Sequence, residues 1–226
     1  HPGPESDIEV ARLMLVALAA AGLRDLHLDL GHVGVFRALA AEARLSEELE
    51  GDLFEALQRK ARSQIEALLA MCDAPTGAKA MLAALADLNG GTETLIRARE
   101  LLKGAPPAVQ VALINLERVA DAVTTAGTPV YIDLAELRGY RYYTGVVFSA
   151  FVSGHGQAVA QGGRYDGIGR AFGRARAATG FSTDLRRLLR LVSADAAGLK
   201  GILAPHAGTK GLDEMIATLR AVGECV

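Results

Sequence analysis

The chain has 226 residues, 50% of them hydrophobic and 22% charged, with a formal net charge of −2. That composition belongs to a globular protein with a sizeable core, and the near-neutral balance gives no reason to expect nucleic acid or an anionic membrane as partner. Two cysteines, Cys72 and Cys225, and five scattered histidines show neither a disulfide framework nor metal-ligand spacing. No apolar run is long enough to span a membrane, and His1-Pro2-Gly3-Pro4-Glu5 lacks the pattern of a signal peptide, so the expected location is the cytoplasm.

Residues 6–21 place Ile8, Val10, Leu13, Met14, Leu15 and Leu18 at roughly helical spacing, behind a cap at Ser6 and acids at Asp7 and Glu9, which predicts a helix. Gly22 stops it, and Leu26-His27-Leu28-Asp29-Leu30 then alternates as a strand with one buried face. Residues 33–43 predict a short helix, and Ser46 opens a longer one through Leu53, Leu57, Ile65 and Leu69, broken near Lys60. From 72 to 128 helices are separated by Asp73-Ala74-Pro75-Thr76-Gly77, Asn89-Gly90-Gly91 and Gly104-Ala105-Pro106-Pro107, a pattern read as an inserted helical layer. In the last of these helices Val109, Ala112, Leu113, Leu116, Val119, Ala120 and Val123 form one apolar stripe, assigned to the core, with Pro107 in the first turn.

After Pro129 the period switches to two. Residues 130–135, 143–152 and 157–161 predict strands, with Ser153-Gly154-His155-Gly156 as a hairpin turn. Phe181 ends a shorter strand, 184–192 predict a helix, and Gly201-Ile202-Leu203-Ala204-Pro205 begins a further unit. Strands in hairpins with helices grouped elsewhere predict an α+β fold, an antiparallel sheet flanked by helices. The expected divisions are 1–72 as part of the sheet domain, 73–128 as a helical insertion, 129–195 as the remainder of that domain, and 196–226 as the start of a C-terminal element.

Two strings carry the chemistry: Arg138-Gly139-Tyr140-Arg141-Tyr142-Tyr143-Thr144-Gly145 and Gly162-Gly163-Arg164-Tyr165-Asp166-Gly167. Each sets glycine, arginine and tyrosine beside a β-rich segment, so backbone can approach a ligand while guanidinium and phenol groups orient it. Such a pocket suits a polar, carboxylate-bearing guest. On a strand Tyr142 and Tyr143 would face opposite sides, leaving one of them in the core. Arg138 has an alternative partner in Glu136, and the seven arginines from Arg164 through Arg190 face only Asp166 and Asp184, a local excess that could attract a phosphate-rich ligand or an acidic surface, though such a run is more often merely a solvated face.

The first string, with Leu137, resembles the R-G-L-D-Y-Y-T-G motif of histidyl-tRNA synthetases, and Gln161 through Gly167 resemble their G-G-R-Y-D motif. Thr179-Gly180-Phe181-Ser182-Thr183-Asp184-Leu185-Arg186-Arg187-Leu188 stands where that family has its third class II motif, and Asp7-Ile8-Glu9-Val10 looks like the D-x-E-V that follows the second. The resemblance implies a class II aminoacyl-tRNA synthetase-like body, with the segments bearing motifs one and two outside this chain. It also implies that Arg138 lies against the amino-acid carboxylate or carbonyl, that Tyr142, Tyr143 and Tyr165 line a pocket for imidazole, and that Gly162 and Gly163 let the hairpin approach the guest.

The departures bear on turnover. Arg141 replaces the motif's aspartate, while Asp184 and Arg186 replace glycine and glutamate where the family holds nucleotide; an acid there would crowd and repel triphosphate. Arg187 alone matches the motif-three arginine, and with Arg164 it is a candidate anion or partner contact.

In residues 138–148, 162–169 and 172–182 the chain is similar to the regulatory subunits of ATP phosphoribosyltransferase, as is Leu30-Gly31-His32-Val33-Gly34-Val35-Phe36. That resemblance implies a noncatalytic subunit without cofactor or metal, self-associating as a dimer, which activates a short catalytic subunit in a hetero-oligomer and transmits feedback inhibition by histidine. Two other readings stay open: a fragment of a true histidyl-tRNA synthetase, and a free-standing amino-acid-binding module.

Overall fold

A computed structural model of the chain describes residues 1–192, 202–205, 209–224 and 226. Two compact units divide it, His1–Asp184 and Leu185–Val226.

In the first unit, α1 (Pro4–Ala20) begins two residues before the expected cap at Ser6: Pro4, with φ already fixed, occupies the first turn, and Gly3 takes the cap position. Asp7, Ala11, Met14, Leu15 and Leu18 form its buried stripe, and it ends where Gly22, at φ +95°, lets the Leu23 amide reach the Leu18 carbonyl. β1 (Leu26–His32) leads directly into α2 (Val33–Glu42), capped by His32 Nδ1 accepting from the Gly34 amide at 3.1 Å. α3 (Glu47–Gln58) opens on the Ser46 hydroxyl, and the expected break before α4 (Arg62–Met71) falls at Lys60, whose φ is +51°.

Then follow α5 (Thr76–Ala84), β2 (Asn89–Gly90), α6 (Thr94–Leu101) and α7 (Pro107–Thr125). Residues 73–128 do not stand apart from the sheet. All seven stripe residues of α7 are buried, and the helix packs against α1, α2 and β1. The strands β3 (Val130–Asp133), β4 (Val146–Val152), β5 (Ala160–Arg164) and β6 (Thr179–Thr183) complete a six-stranded sheet of order β2-β3-β1-β4-β5-β6. One pairing departs from the antiparallel expectation: β1 and β3 run parallel, because the helices from α2 to α7 carry the chain back to its starting side.

Register divides the sheet into two unlike faces. Leu28, Leu30, Ile132, Phe148 and Ala150 are buried on the side covered by α1 and α7. On the opposite side a polar row, Tyr131-Asp29-Ser149-Gln161-Ser182, crosses five strands, and beside it runs a row of Gly31, Val147, Gly163 and Gly180. Three glycines in four positions make a trough across that face.

In the second unit, α8 (Leu185–Leu191) matches the expected helix and α9 (Lys210–Ala221) was not anticipated from sequence. Its Leu212, Ile216 and Leu219 recur at helical spacing. His206 and Cys225 lie outside the described residues.

Candidate functional site

Tyrosines fill the glycine trough at Gly163 and Gly180. A side chain at Gly163 would come within 3.0–3.1 Å of the Tyr143 ring, and one at Gly180 within 2.6 Å of the Tyr165 hydroxyl. Gly162 serves a different neighbour: a Cβ there would meet the Gly180 carbonyl at 2.3 Å and the Phe148 ring at 2.6 Å. Both glycines of the second string therefore admit protein groups, Tyr143 and the packed sheet, and shape the pocket through them.

Tyr142 and Tyr143 lie in the turn before β4 and not on it, because both their amides bond the Gly139 carbonyl, at 2.7 and 2.8 Å. The alternation expected of a strand does not apply there, and both side chains reach the same pocket. Gly139, at φ +67°, makes the turn; its missing side chain leaves room for the Tyr143 ring, 2.7 Å from where a Cβ would stand. The rings of Tyr142 and Tyr165 stack at 5.0 Å, and Tyr142 and Tyr143 meet edge to face at 5.1 Å. With Gln161, Gly180, Phe181 and Ser182 they wall a pocket of about 300 Å³.

That volume fits an amino-acid-sized guest, and the lining offers phenol, amide and hydroxyl groups over aromatic faces. Burial, chiefly, pushes the Tyr142 and Tyr143 phenols above their ordinary pKa, so both stay neutral and can donate to an imidazole nitrogen or accept from its N–H.

Of the remaining predicted residues, Arg138 is half exposed and grips Glu136, with Nε 3.1 Å from Oε1 and Nη2 3.0 Å from Oε2. It is not among the residues walling the tyrosine pocket. Arg164 turns inward: only 6% exposed, it bonds Asp7 through Nε at 3.0 Å and Asp166 through Nη1 at 3.1 Å, and the Gly3 carbonyl through Nη2. These internal acceptors hold the guanidinium that the sequence offered as an anion or partner contact. Arg187 lies on α8, in the second unit.

Two residues near the site were not anticipated. Arg37 on α2 donates from Nη2 to the carbonyls of Tyr140 (2.8 Å) and Tyr143 (3.1 Å) and sits 4.9 Å from the Tyr140 ring centroid, so it fastens the whole tyrosine turn. Its partners lie about a hundred residues away, which no local pattern reveals. Arg37→Met should leave both carbonyls without this donor, costing about 1–3 kcal/mol; a urea titration would register the loss, and an unchanged midpoint would count against the assignment.

Asp29 occupies the centre of the polar row, two strands and about 10 Å from Gln161. Burial, chiefly, raises its carboxyl above the ordinary value, with Glu136 and Asp133 adding to the rise and His27 and Arg138 opposing it. The alternation of residues 26–30 had already put Asp29 on the open face.

A larger cavity of about 780 Å³ lies behind the turn, between the acidic start of α3 and Gly139-Tyr140-Arg141. Tyr140 is anchored there by the Glu50 carboxylate and the rings of Phe36 and Phe54. Among the described residues no cluster of histidine, cysteine or carboxylate groups could hold a metal ion.

Comparison with known proteins gives this geometry a family. A sequence model described as histidyl-tRNA synthetase matches residues 1–188. An ATP phosphoribosyltransferase regulatory subunit from Chromohalobacter salexigens is 52% identical over the whole chain, which spans 58% of that relative's length. Among solved structures, a protein from Bacillus halodurans titled ATP phosphoribosyltransferase regulatory subunit/histidyl-tRNA synthetase matches with TM-score 0.76 and 28% identity, over all of this chain and 59% of the other. The ATP phosphoribosyl transferase (HisG:HisZ) complex from Thermotoga maritima shares the fold over 74% of this chain and 58% of its own, at 20% identity and TM-score 0.56. The chain belongs to the histidyl-tRNA synthetase family, and within it resembles proteins named ATP phosphoribosyltransferase regulatory subunit.

Proposed function

We propose that this chain is the larger part of a noncatalytic regulatory subunit of ATP phosphoribosyltransferase. In this reading it assembles with a short catalytic subunit in the cytoplasm, associates with itself as a dimer, and makes the catalytic subunit sensitive to histidine. The tyrosine pocket on the glycine trough carries the reading, together with the 52%-identical relative of that name. Neutral phenols suit an imidazole, while Arg141, Asp184 and Arg186 stand at positions where a synthetase of this family would hold its ammonium and nucleotide groups. Histidine then acts by binding the less active assembly more tightly, with a coupling free energy of about 1–3 kcal/mol.

The test combines calorimetry of histidine with the full-length protein and activity of the reconstituted complex across a histidine titration. Saturable binding and loss of activity are expected; absence of both would end the proposal. Histidine-dependent exchange of pyrophosphate into ATP would instead establish a synthetase, and none is expected. Gly180→Ala puts a methyl against the Tyr165 hydroxyl, a clash that overpacking data value at about 1–3 kcal/mol. By shifting the Tyr165 ring from the pocket wall it should also weaken histidine binding, about fivefold or more. Unaltered affinity in that variant would place the histidine site elsewhere.

A further inference from the structure

Between β5 and β6 the chain runs through residues 166–178, a connection that carries three arginines, Arg170, Arg174 and Arg176, and one acid, Asp166. All three arginines are exposed, and none makes a side-chain hydrogen bond or ion pair among the described residues. Asp166 pairs with none of them. Its Oδ1 is held by Arg164 Nη1 at 3.1 Å and by the Ala178 amide at 2.8 Å, while its own amide bonds Thr144 Oγ1 at 3.0 Å.

That clasp closes the connection at its base, where the Tyr165 amide also bonds the Ala178 carbonyl at 2.8 Å. Farther out, Gly173 at φ +93° lets the Arg174 amide return to the Gly169 carbonyl at 3.1 Å, and Gly169 leaves room for the Arg174 backbone. Internal bonds therefore shape the segment at both ends, which lowers the ordering cost of any partner that binds it. Tyr165 belongs to the pocket wall and Thr144 follows Tyr143, so the same clasp joins the arginine segment to the tyrosine site.

Three unneutralised guanidinium groups within seven residues of a chain whose net charge is −2 form a local positive feature that calls for an anionic complement. Small anions are held in concave sites by converging donors, whereas these side chains stand exposed along the outside of a turn. We propose that this arginine segment docks an acidic, carboxylate-bearing surface of the partner subunit, through exposed charge pairs that steer and orient the complex. The inference rests on the regulatory-subunit reading for the existence of that partner.

The experiment measures association of the full-length protein with the catalytic subunit at several salt concentrations. It compares the unaltered protein with Arg170→Gln/Arg174→Gln/Arg176→Gln, and follows histidine binding to both as a control for folding. The triple variant should bind the partner about a hundredfold more weakly, with a shallower salt dependence, and bind histidine with unchanged affinity. If the unaltered protein does not bind the catalytic subunit, the functional reading fails. If both proteins bind it equally, the docking proposal fails and the reading stands. Tripolyphosphate and a single-stranded RNA oligonucleotide serve as probes of other anions. Arginine-dependent binding of either one, with partner association unaffected, would overturn the acidic-surface assignment.

Discussion

Replacing Arg164 with methionine should destabilise the protein by about 3–5 kcal/mol, because the substitution leaves a buried carboxylate without its counter-charge. Asp7 is 3% exposed and Arg164 6%, and they meet through two contacts, Nε to Oδ2 and Nη2 to Oδ1, each 3.0 Å. Burial would pull the guanidinium down in pKa, yet the bonds to Asp7 and Asp166 hold it above its ordinary value, so it stays charged. Burial likewise pushes the Asp7 carboxyl up, against the pull of Arg164. Without the arginine the upward push of burial is opposed only by the Thr179 side chain, and the folded protein takes up a proton more readily than the unfolded chain. A group whose folded pKa is raised stabilises below its unfolded value and loses that contribution as pH rises. The deficit of Arg164→Met should therefore be smallest near pH 4 and deepen toward neutrality. Adding Asp7→Asn removes the buried charge and should recover part of the loss at neutral pH. Denaturant midpoints across pH decide the matter; a deficit that is the same at every pH would show that lost packing, not the stranded carboxylate, sets the cost.

Much of this architecture follows from local pattern. The α7 stripe, the alternation of β1, the break at Lys60 and the order of the two arginine-centred strings are each written within a few consecutive residues. What escaped is written across strands. The trough of Gly31, Gly163 and Gly180 exists only once β1, β4, β5 and β6 are in register, and Tyr143, which lies over Gly163, comes from a turn whose Gly139 hydrogen bonds override the strand expected for it. Arg164 sits in a string that looks like a ligand motif, yet its buried carboxylate partner, Asp7, is 157 residues away on α1. Motif resemblance thus led to a stretch of chain whose tyrosines share one pocket, and grouped with them by proximity side chains, such as Arg138 and Arg164, that the fold turns to other partners.

The second large effect is an acid sensitivity located at His32. The imidazole is 7% exposed, caps α2 by accepting the Gly34 amide on Nδ1, and is pulled down from its ordinary pKa to about 4, chiefly by burial. Protonation would remove that acceptor and set a cation at the positive end of a helix, close enough to feel the charges of Arg37 and Arg164. Between the ordinary value of 6.5 and about 4 the unfolded chain holds a proton that the folded protein refuses. Stability should thus fall by about 3 kcal/mol as pH drops through that window. Asp7 and Asp29, both raised by burial, act in the opposite sense and soften the fall. Comparing the protein with His32→Asn cancels their contribution, since asparagine can still cap the helix and does not titrate. The variant should start less stable at pH 7 and lose less on acidification; an identical slope would remove His32 from the account. The same junction touches the candidate site, for the Val33 amide bonds the Gly145 carbonyl at 3.1 Å, directly after the tyrosine turn. If the pocket takes histidine as proposed, the affinity of the unaltered protein should decline toward pH 4 more steeply than titration of free histidine alone requires, and His32→Asn should restore the simpler curve.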